Sequence, residues 1–177
     1  MAFSLMDRKA RLMKAAILTL SDKGFSGTRV DASGPALFSW LTERGVKVER
    51  TEILPDNGKA ISGKLMEWAD DGELDLILTT GGTGISPRDV TPEATARVLD
   101  RILPGFAEAM RAKGLVKTPN AIISRAIVGI RRQTLIINLP GSPGGAIDNL
   151  EAVWPAVSHT ISKIRGDQSD CVKAGRA

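Results

Sequence analysis

The chain is expected to adopt an α/β fold with a largely parallel sheet. Three observations predict it. Short apolar runs alternate with segments of helical periodicity, and several of those runs end in turns rich in Gly, Asp, Ser and Thr. One late pair of runs is separated by only two arginines, which implies an antiparallel element within a mixed sheet.

Ala15 to Leu20 is a short apolar run suited to a buried strand, and it stops at the polar turn Ser21-Asp22-Lys23-Gly24. Pro35 to Arg44 sets Leu37, Phe38 and Leu41 on one helical face, with Gly45 placed as a C-cap. Val46 to Leu54 reads as a second strand ending at Pro55-Asp56-Asn57-Gly58, and Ile61, Leu65 and Trp68 follow at helical spacing. Leu74 to Thr80 is the clearest central strand and ends in Gly81-Gly82-Thr83-Gly84. Thr91-Pro92-Glu93 is a helix start, with Thr91 as N-cap, proline at the first helical position and an acid in the first turn. A further helix is expected over Pro104 to Lys113, ending at Gly114. Ala126 to Ile130 and Gln133 to Asn138 read as strands joined at Arg131-Arg132. A last helix aligns Ala146, Leu150, Val153, Val157, Ile161 and Ile164, with Pro155 expected to kink it.

The 177 residues suit one domain with a real core, expected over residues 14–165, between an N-terminal extension (1–13) and a polar tail (166–177). An apolar content of 42% and a charged content of 25% exclude a disordered or fibrous chain. No run approaches the ~20 apolar residues of a membrane span. Met1 to Met13 lacks the order of a secretory signal, so a cytoplasmic location is expected. One cysteine (Cys171) and one histidine (His159) exclude a disulfide framework and multi-histidine metal sites. The net charge of +4 raises nucleic-acid binding, but the basic residues are dispersed and not interleaved with aromatics. A mildly positive chain also suits phosphorylated substrates. Neither nucleic acid nor a membrane is expected as a partner.

Four turns follow predicted strands: Ser21 to Gly27, Pro55 to Gly58, Gly81 to Thr91, and Asn138 to Pro143. In parallel α/β sheets such turns gather on one edge, where ligands bind. Gly81, Gly82 and Gly84 allow positive φ and close approach, and exposed amides there can cradle an anion. Arg88 and Asp89 follow; a glycine cradle plus a carboxylate fits a nucleotide–Mg²⁺ complex. A tight strand-to-helix turn with a surface aspartate reads equally well from this loop alone. Asp56 beside Asn-Gly is more often a turn former, and its interest comes from sharing an edge with Asp89. Asp22 carries the same two readings. Asn138, Gly141 and Ser142 stand before a helix start that favours phosphate. Gly58 to Leu65 is a decoy: it nearly matches a P-loop, but Leu65 replaces the Mg²⁺-binding hydroxyl.

The strings Thr79-Thr80-Gly81-Gly82-Thr83-Gly84 and Arg88-Asp89-Val90-Thr91-Pro92-Glu93-Ala94-Thr95 resemble a motif of the molybdenum-cofactor biosynthesis proteins that bind molybdopterin, specifically the molybdopterin adenylyltransferase family. The resemblance extends to Leu20-Ser21-Asp22, Ser26-Gly27, Leu54-Pro55-Asp56 and Asn138 through Pro143, covering about residues 14 to 165. It implies a three-layer α/β/α sandwich around a mostly parallel mixed sheet, assembled as a homotrimer or a hexamer. It implies that Mg-ATP and molybdopterin react to give adenylyl-molybdopterin and pyrophosphate, with hand-over to a molybdenum-insertion protein. Asp56 and Asp89 would then be catalytic and hold Mg²⁺. Ser21, Asp22, Ser26, Gly27, Gly81, Gly82, Thr83, Gly84, Arg88, Thr91, Pro92 and Glu93 would form the nucleotide and pterin cradle, with Asn138, Pro140, Gly141 and Ser142 completing it. Lys23 stands where many members have arginine, and Gly144-Gly145 where some have lysine. A non-catalytic or weakly active molybdopterin-binding oligomer of the same pathway is the alternative.

Overall fold

The computed structural model describes residues 12–168. Residues 1–11 of the expected extension, and 169–177 of the tail with Cys171, lie outside the described residues. Six strands form one sheet in the order β2-β1-β3-β6-β5-β4. These are β1 (Lys14–Leu20), β2 (Lys47–Leu54), β3 (Leu76–Thr80), β4 (Arg101–Ile102), β5 (Val128–Arg131) and β6 (Thr134–Leu139). Pairing is parallel from β2 through β1 and β3 to β6, and antiparallel between β6 and β5 and between β5 and β4. The hairpin turn lies one residue later than the expected Arg131-Arg132: Arg131 still pairs with Thr134 in the ladder, and Arg132-Gln133 make the turn, with Arg132 in the left-handed region at φ 52°. The sheet is mixed and mostly parallel.

The helices are α1 (Asp22–Phe25), α2 (Ser33–Thr42), α3 (Gly58–Asp70), α4 (Thr91–Ala96), α5 (Pro104–Leu115) and α6 (Pro143–Ile164), with a 3₁₀ turn at Pro119–Ile123. The two-residue alternation of the strands divides the core into two layers. Ala15, Ile17, Leu76, Leu78, Leu135 and Ile137 pack with Leu37, Met110, Leu150 and Val157 from α2, α5 and α6. Ala16, Leu18, Ile77 and Ile136 pack with Ile61, Leu65, Trp68 and Ala94 from α3 and α4. β3 is buried at every position, which explains why Leu76 to Leu78 are apolar without alternation, and the hydroxyls of its buried Thr79 and Thr80 are hydrogen-bonded to Asn138 and Pro140. No helix among the described residues is long and apolar enough to cross a membrane.

Several local expectations are corrected. Thr91 is not the N-cap of α4; Val90 occupies that place, and the Thr91 hydroxyl donates instead to the Gly81 carbonyl at 2.9 Å. Phe38 is 43% exposed, since α2 covers the sheet beside the edge strand β2 and leaves an apolar cleft there, lined by Ile17, Phe38 and Ile53. α2 begins at Ser33, two residues earlier than expected, because Asp31 organises its first turn. The Asp31 carboxylate accepts from the backbone of Ser33 (3.0 Å) and Gly34 (3.1 Å) and from the Thr19 hydroxyl (2.7 Å). Desolvation pushes the Asp31 pKa up, but these hydrogen bonds outweigh it and hold the group below its ordinary 3.8. A depressed acid stabilises the fold above its unfolded pKa and loses that contribution as pH falls through the folded one. Asp31→Ala is therefore expected to cost about 1–2 kcal/mol at pH 7 in urea denaturation. That gap should narrow below pH 3.8.

Candidate functional site

The strand order reverses between β1 and β3, since the chain leaves β1 for β2 on one side and returns to β3 on the other. Parallel α/β sheets open a crevice at the carboxyl ends of strands flanking such a switch point. Here those ends are Leu20 and Thr80, and all four glycine- and aspartate-bearing turns meet around them.

The first and second turns are joined reciprocally. The Asp22 amide donates to Asp56 Oδ2 at 3.1 Å, and the Asp56 amide donates to Asp22 Oδ1 at 3.0 Å. The third turn lies against the first: a Cβ at Gly81, whose φ is +107°, would collide with the Leu20 carbonyl oxygen. It is tied to the fourth turn by the Gly81 amide, which donates to the Leu139 carbonyl at 3.1 Å, and Gly141 packs on the Gly81 Cα. Residues some 120 positions apart thus share one cavity of about 360 Å³, lined in part by Ser21, Arg29, Gly81, Gly82, Gly141 and Ser142.

Asp56 sits at the junction. A Cβ built on Gly82 (φ +61°) would collide with Thr91 Oγ1 and crowd Asp56 Oδ1 at 3.1 Å, so the glycine keeps the space beside that oxygen open. Asp56 Oδ1 is buried and has no hydrogen-bond partner among the described residues. Desolvation raises the Asp56 pKa; the Asp22 amide opposes this, while the charges of Asp22 and Asp89 add to it. Asp22 has the opposite environment. Its Oδ2 accepts from Arg88 Nε at 3.0 Å, and this hydrogen bond, then the Asp56 amide, lowers its pKa. Asp89 is oriented by the Ser86 amide, which donates to Oδ2 at 2.8 Å. Among the described residues no group of three or more His, Cys, Asp or Glu is arranged to hold a metal. A cation between Asp56 and Asp89 would need oxygens from a ligand or water, as Mg²⁺ on a nucleotide has. The unpartnered, desolvated oxygen of Asp56 fits such a hard dication.

The expected residues divide into groups. Ser21, Gly81, Gly82, Gly141 and Ser142 line the cavity, and Asp22 and Arg88 form an ion pair beside it. Ser21 also caps α1 through its hydroxyl, and Ser142 makes no side-chain capping bond to α6, leaving its hydroxyl uncommitted there. Thr83, Thr91, Pro92 and Asn138 are buried beneath the turns rather than on their surface. Asn138 is 0% exposed; its amide donates to the hydroxyls of Thr79 (2.9 Å) and Thr95 (3.0 Å). Asn138→Ala is expected to destabilise the protein by about 1–3 kcal/mol in thermal or chemical unfolding, because it strands buried hydrogen-bonding groups. The Pro140 carbonyl accepts from the Thr80 hydroxyl at 2.7 Å, which locks the fourth turn. Ser26 and Gly27 are exposed at the far end of α1, where the Ser26 hydroxyl meets Thr28, and the structure does not bring them to the cavity. Gly84 lines a separate cavity with Thr83, Pro140 and Ser142, while Asp89 and Glu93 border a different face of the loop. A second cavity of about 640 Å³ there is lined by Lys59, Ser86, Asp89, Glu93, Arg97 and Arg125. Arg125 carried no sequence signal: it is 36 residues from the loop it touches, outside any motif.

Fold and site together define a class: three-layer α/β domains with a crevice at the carboxyl edge of a parallel sheet, where the strand order switches. Within that class the chain belongs to the family described as probable molybdopterin binding domain, whose profile matches residues 16–159. It is 42% identical over 153 residues to a molybdopterin adenylyltransferase of Helicobacter pylori, covering 85% of this chain and 87% of that one. Against the molybdopterin adenylyltransferase of Escherichia coli the identity is 41% over 152 residues, with 84% and 77% covered. Among solved structures, the molybdopterin biosynthesis enzyme MoaB of Thermus thermophilus superposes with a TM-score of 0.83 at 50% identity. That superposition covers 88% of this chain and 98% of MoaB.

Proposed function

We infer that this chain is a molybdopterin adenylyltransferase of molybdenum cofactor biosynthesis, with ATP and molybdopterin as substrates. Its similarity to proteins bearing that name supports the reading. The observation that carries it in the structure is the bare, buried Oδ1 of Asp56 facing Gly82 at the meeting point of four strand-end turns.

In this reading an oxygen of the molybdopterin phosphate monoester attacks the α-phosphorus of ATP. A P–O–P bond forms, the bond to the β-phosphate oxygen breaks, and pyrophosphate leaves. The attacking phosphate is already anionic, so no strong base is required. The task of the protein is to hold two polyanions in line against their repulsion. Asp56 and Asp89 would hold Mg²⁺, which when bound neutralises charge on the triphosphate. Gly81 and Gly82 let the phosphates approach the backbone closely, and Arg88 adds a fixed guanidinium beside Asp22. Ser142, at the start of α6, offers a hydroxyl and a helix N-terminus to the pterin phosphate. A cytoplasmic homotrimer or hexamer passing its product to a molybdenum-insertion protein completes the proposal.

The test is pyrophosphate release from Mg-ATP with and without molybdopterin. Release that depends on the pterin is the expected result. Tight pterin binding with no pyrophosphate formed would instead make the chain a binding protein.

A further inference from the structure

We propose that Arg125 is a positioning residue for the Asp89 carboxylate, acting as a three-pronged clamp on the loop that carries it. This rests on the reading of Asp89 as a metal-facing group given above. The loop from Ile85 to Arg88 is exposed on the surface, and its internal order is one tight turn in which the Asp89 amide donates to the Ser86 carbonyl at 2.9 Å and the Ser86 amide donates to Asp89 Oδ2 at 2.8 Å. Such a turn fixes the loop's shape; on one side its place relative to Asp56 is held by the exposed pair of Arg88 with Asp22.

Arg125 holds the loop from the other side, at both of its ends. Its Nε donates to the Gly84 carbonyl and its Nη2 to the Asp89 carbonyl, each at 2.6 Å, so the two ends of the loop are pinned by one rigid plane. Nη1 pairs with Glu93 on α4, which turns the guanidinium to face both carbonyls. Desolvation raises the Glu93 pKa, but a backbone hydrogen bond and Arg125 outweigh it and keep the group ionised. The Arg125 amide also donates to the Thr83 carbonyl at 2.9 Å. The backbone of this segment is anchored in turn two residues on: the Asn138 amide donates to the Ile127 carbonyl at 3.1 Å. The clamp therefore ties the Asp89 loop to β6, whose end carries the fourth turn.

A lysine cannot do this. One ammonium on a flexible stem keeps the charge facing Glu93 but cannot span two carbonyls in a fixed fork. A displacement of about 1 Å in a catalytic group is enough to lose roughly a hundredfold in rate.

Full-length wild type, Arg125→Gln and Arg125→Lys distinguish clamp from charge. Two readouts are taken: amide hydrogen exchange, and pyrophosphate release as a function of Mg²⁺ and molybdopterin. The expected result is faster exchange across residues 85–90 with β3 and β6 unchanged. With it should come a kcat lower by about 10- to 100-fold and a raised Mg²⁺ half-saturation, the KM for molybdopterin staying put. The lysine variant should behave like the glutamine variant. Wild-type exchange at 85–90, restoration by lysine, or loosening spread over the whole sheet would each overturn the clamp. If wild type itself releases no pyrophosphate, the adenylylation reading falls, and the exchange comparison alone decides the role of Arg125.

Discussion

Asp56→Asn is expected to lower molybdopterin-dependent pyrophosphate release by roughly a hundredfold to a thousandfold while leaving the fold as stable as wild type or more so. The two halves of this expectation have one cause. Asp56 is desolvated, and its Oδ1 has no hydrogen-bond partner among the described residues. Its pKa is raised from the ordinary 3.8, so the folded state binds a proton more readily than the unfolded chain does. Stability is therefore lost, not gained, as pH rises through the folded pKa. A neutral asparagine keeps an acceptor for the Asp22 amide and removes the desolvated charge. Its advantage in melting temperature should grow with pH, while phosphate chemistry loses the anion that would face the metal. Measuring kcat and melting temperature at two pH values checks both halves. A variant that is inactive because it is unfolded would contradict the assignment, as would one that is stable and fully active.

The second large effect is at Gly81. Valine there would force a side chain onto the Leu20 carbonyl and demand φ +107° from a β-branched residue. Nothing flexible can yield, because the colliding atom belongs to the end of a central strand. Gly81→Val should destabilise the protein by roughly 3 kcal/mol or more, about 6–12 °C in melting temperature for a chain of this size. Pterin binding should weaken with it, since the Gly81 turn joins the first and fourth turns. A melting temperature within a degree or so of wild type would mean that the turns do not meet as described.

The glycine turn, both aspartates and the four strand ends were legible in the sequence because each has a local signature. Positive-φ glycines, an acid beside a turn and an apolar run are patterns within a few residues. The expected central strand, Leu74 to Thr80, could be read because burial on both faces gives β3 an unbroken apolar run from Leu76 to Leu78 ahead of the buried Thr79 and Thr80. The reciprocal hydrogen bonds between Asp22 and Asp56 could not be read. They join backbone and side chain across 34 residues, and nothing near either aspartate announces the other. Arg125 was silent for the same reason. Thr91 misled because Thr-Pro-Glu is a good helix start, yet the Gly81 carbonyl takes its hydroxyl in a contact ten residues away. α1 and β4 were missed for a different reason: at four and two residues they are too short to show any period.

Anomalous diffraction from crystals grown with Mn²⁺ and a non-hydrolysable ATP analogue is the most direct test of one site built from distant turns. One metal peak bonded to carboxylate oxygens of both Asp56 and Asp89 at roughly 2.0–2.2 Å, with the phosphates over Gly81 and Gly82, is the predicted result. A nucleotide-bound metal that touches neither aspartate would contradict it.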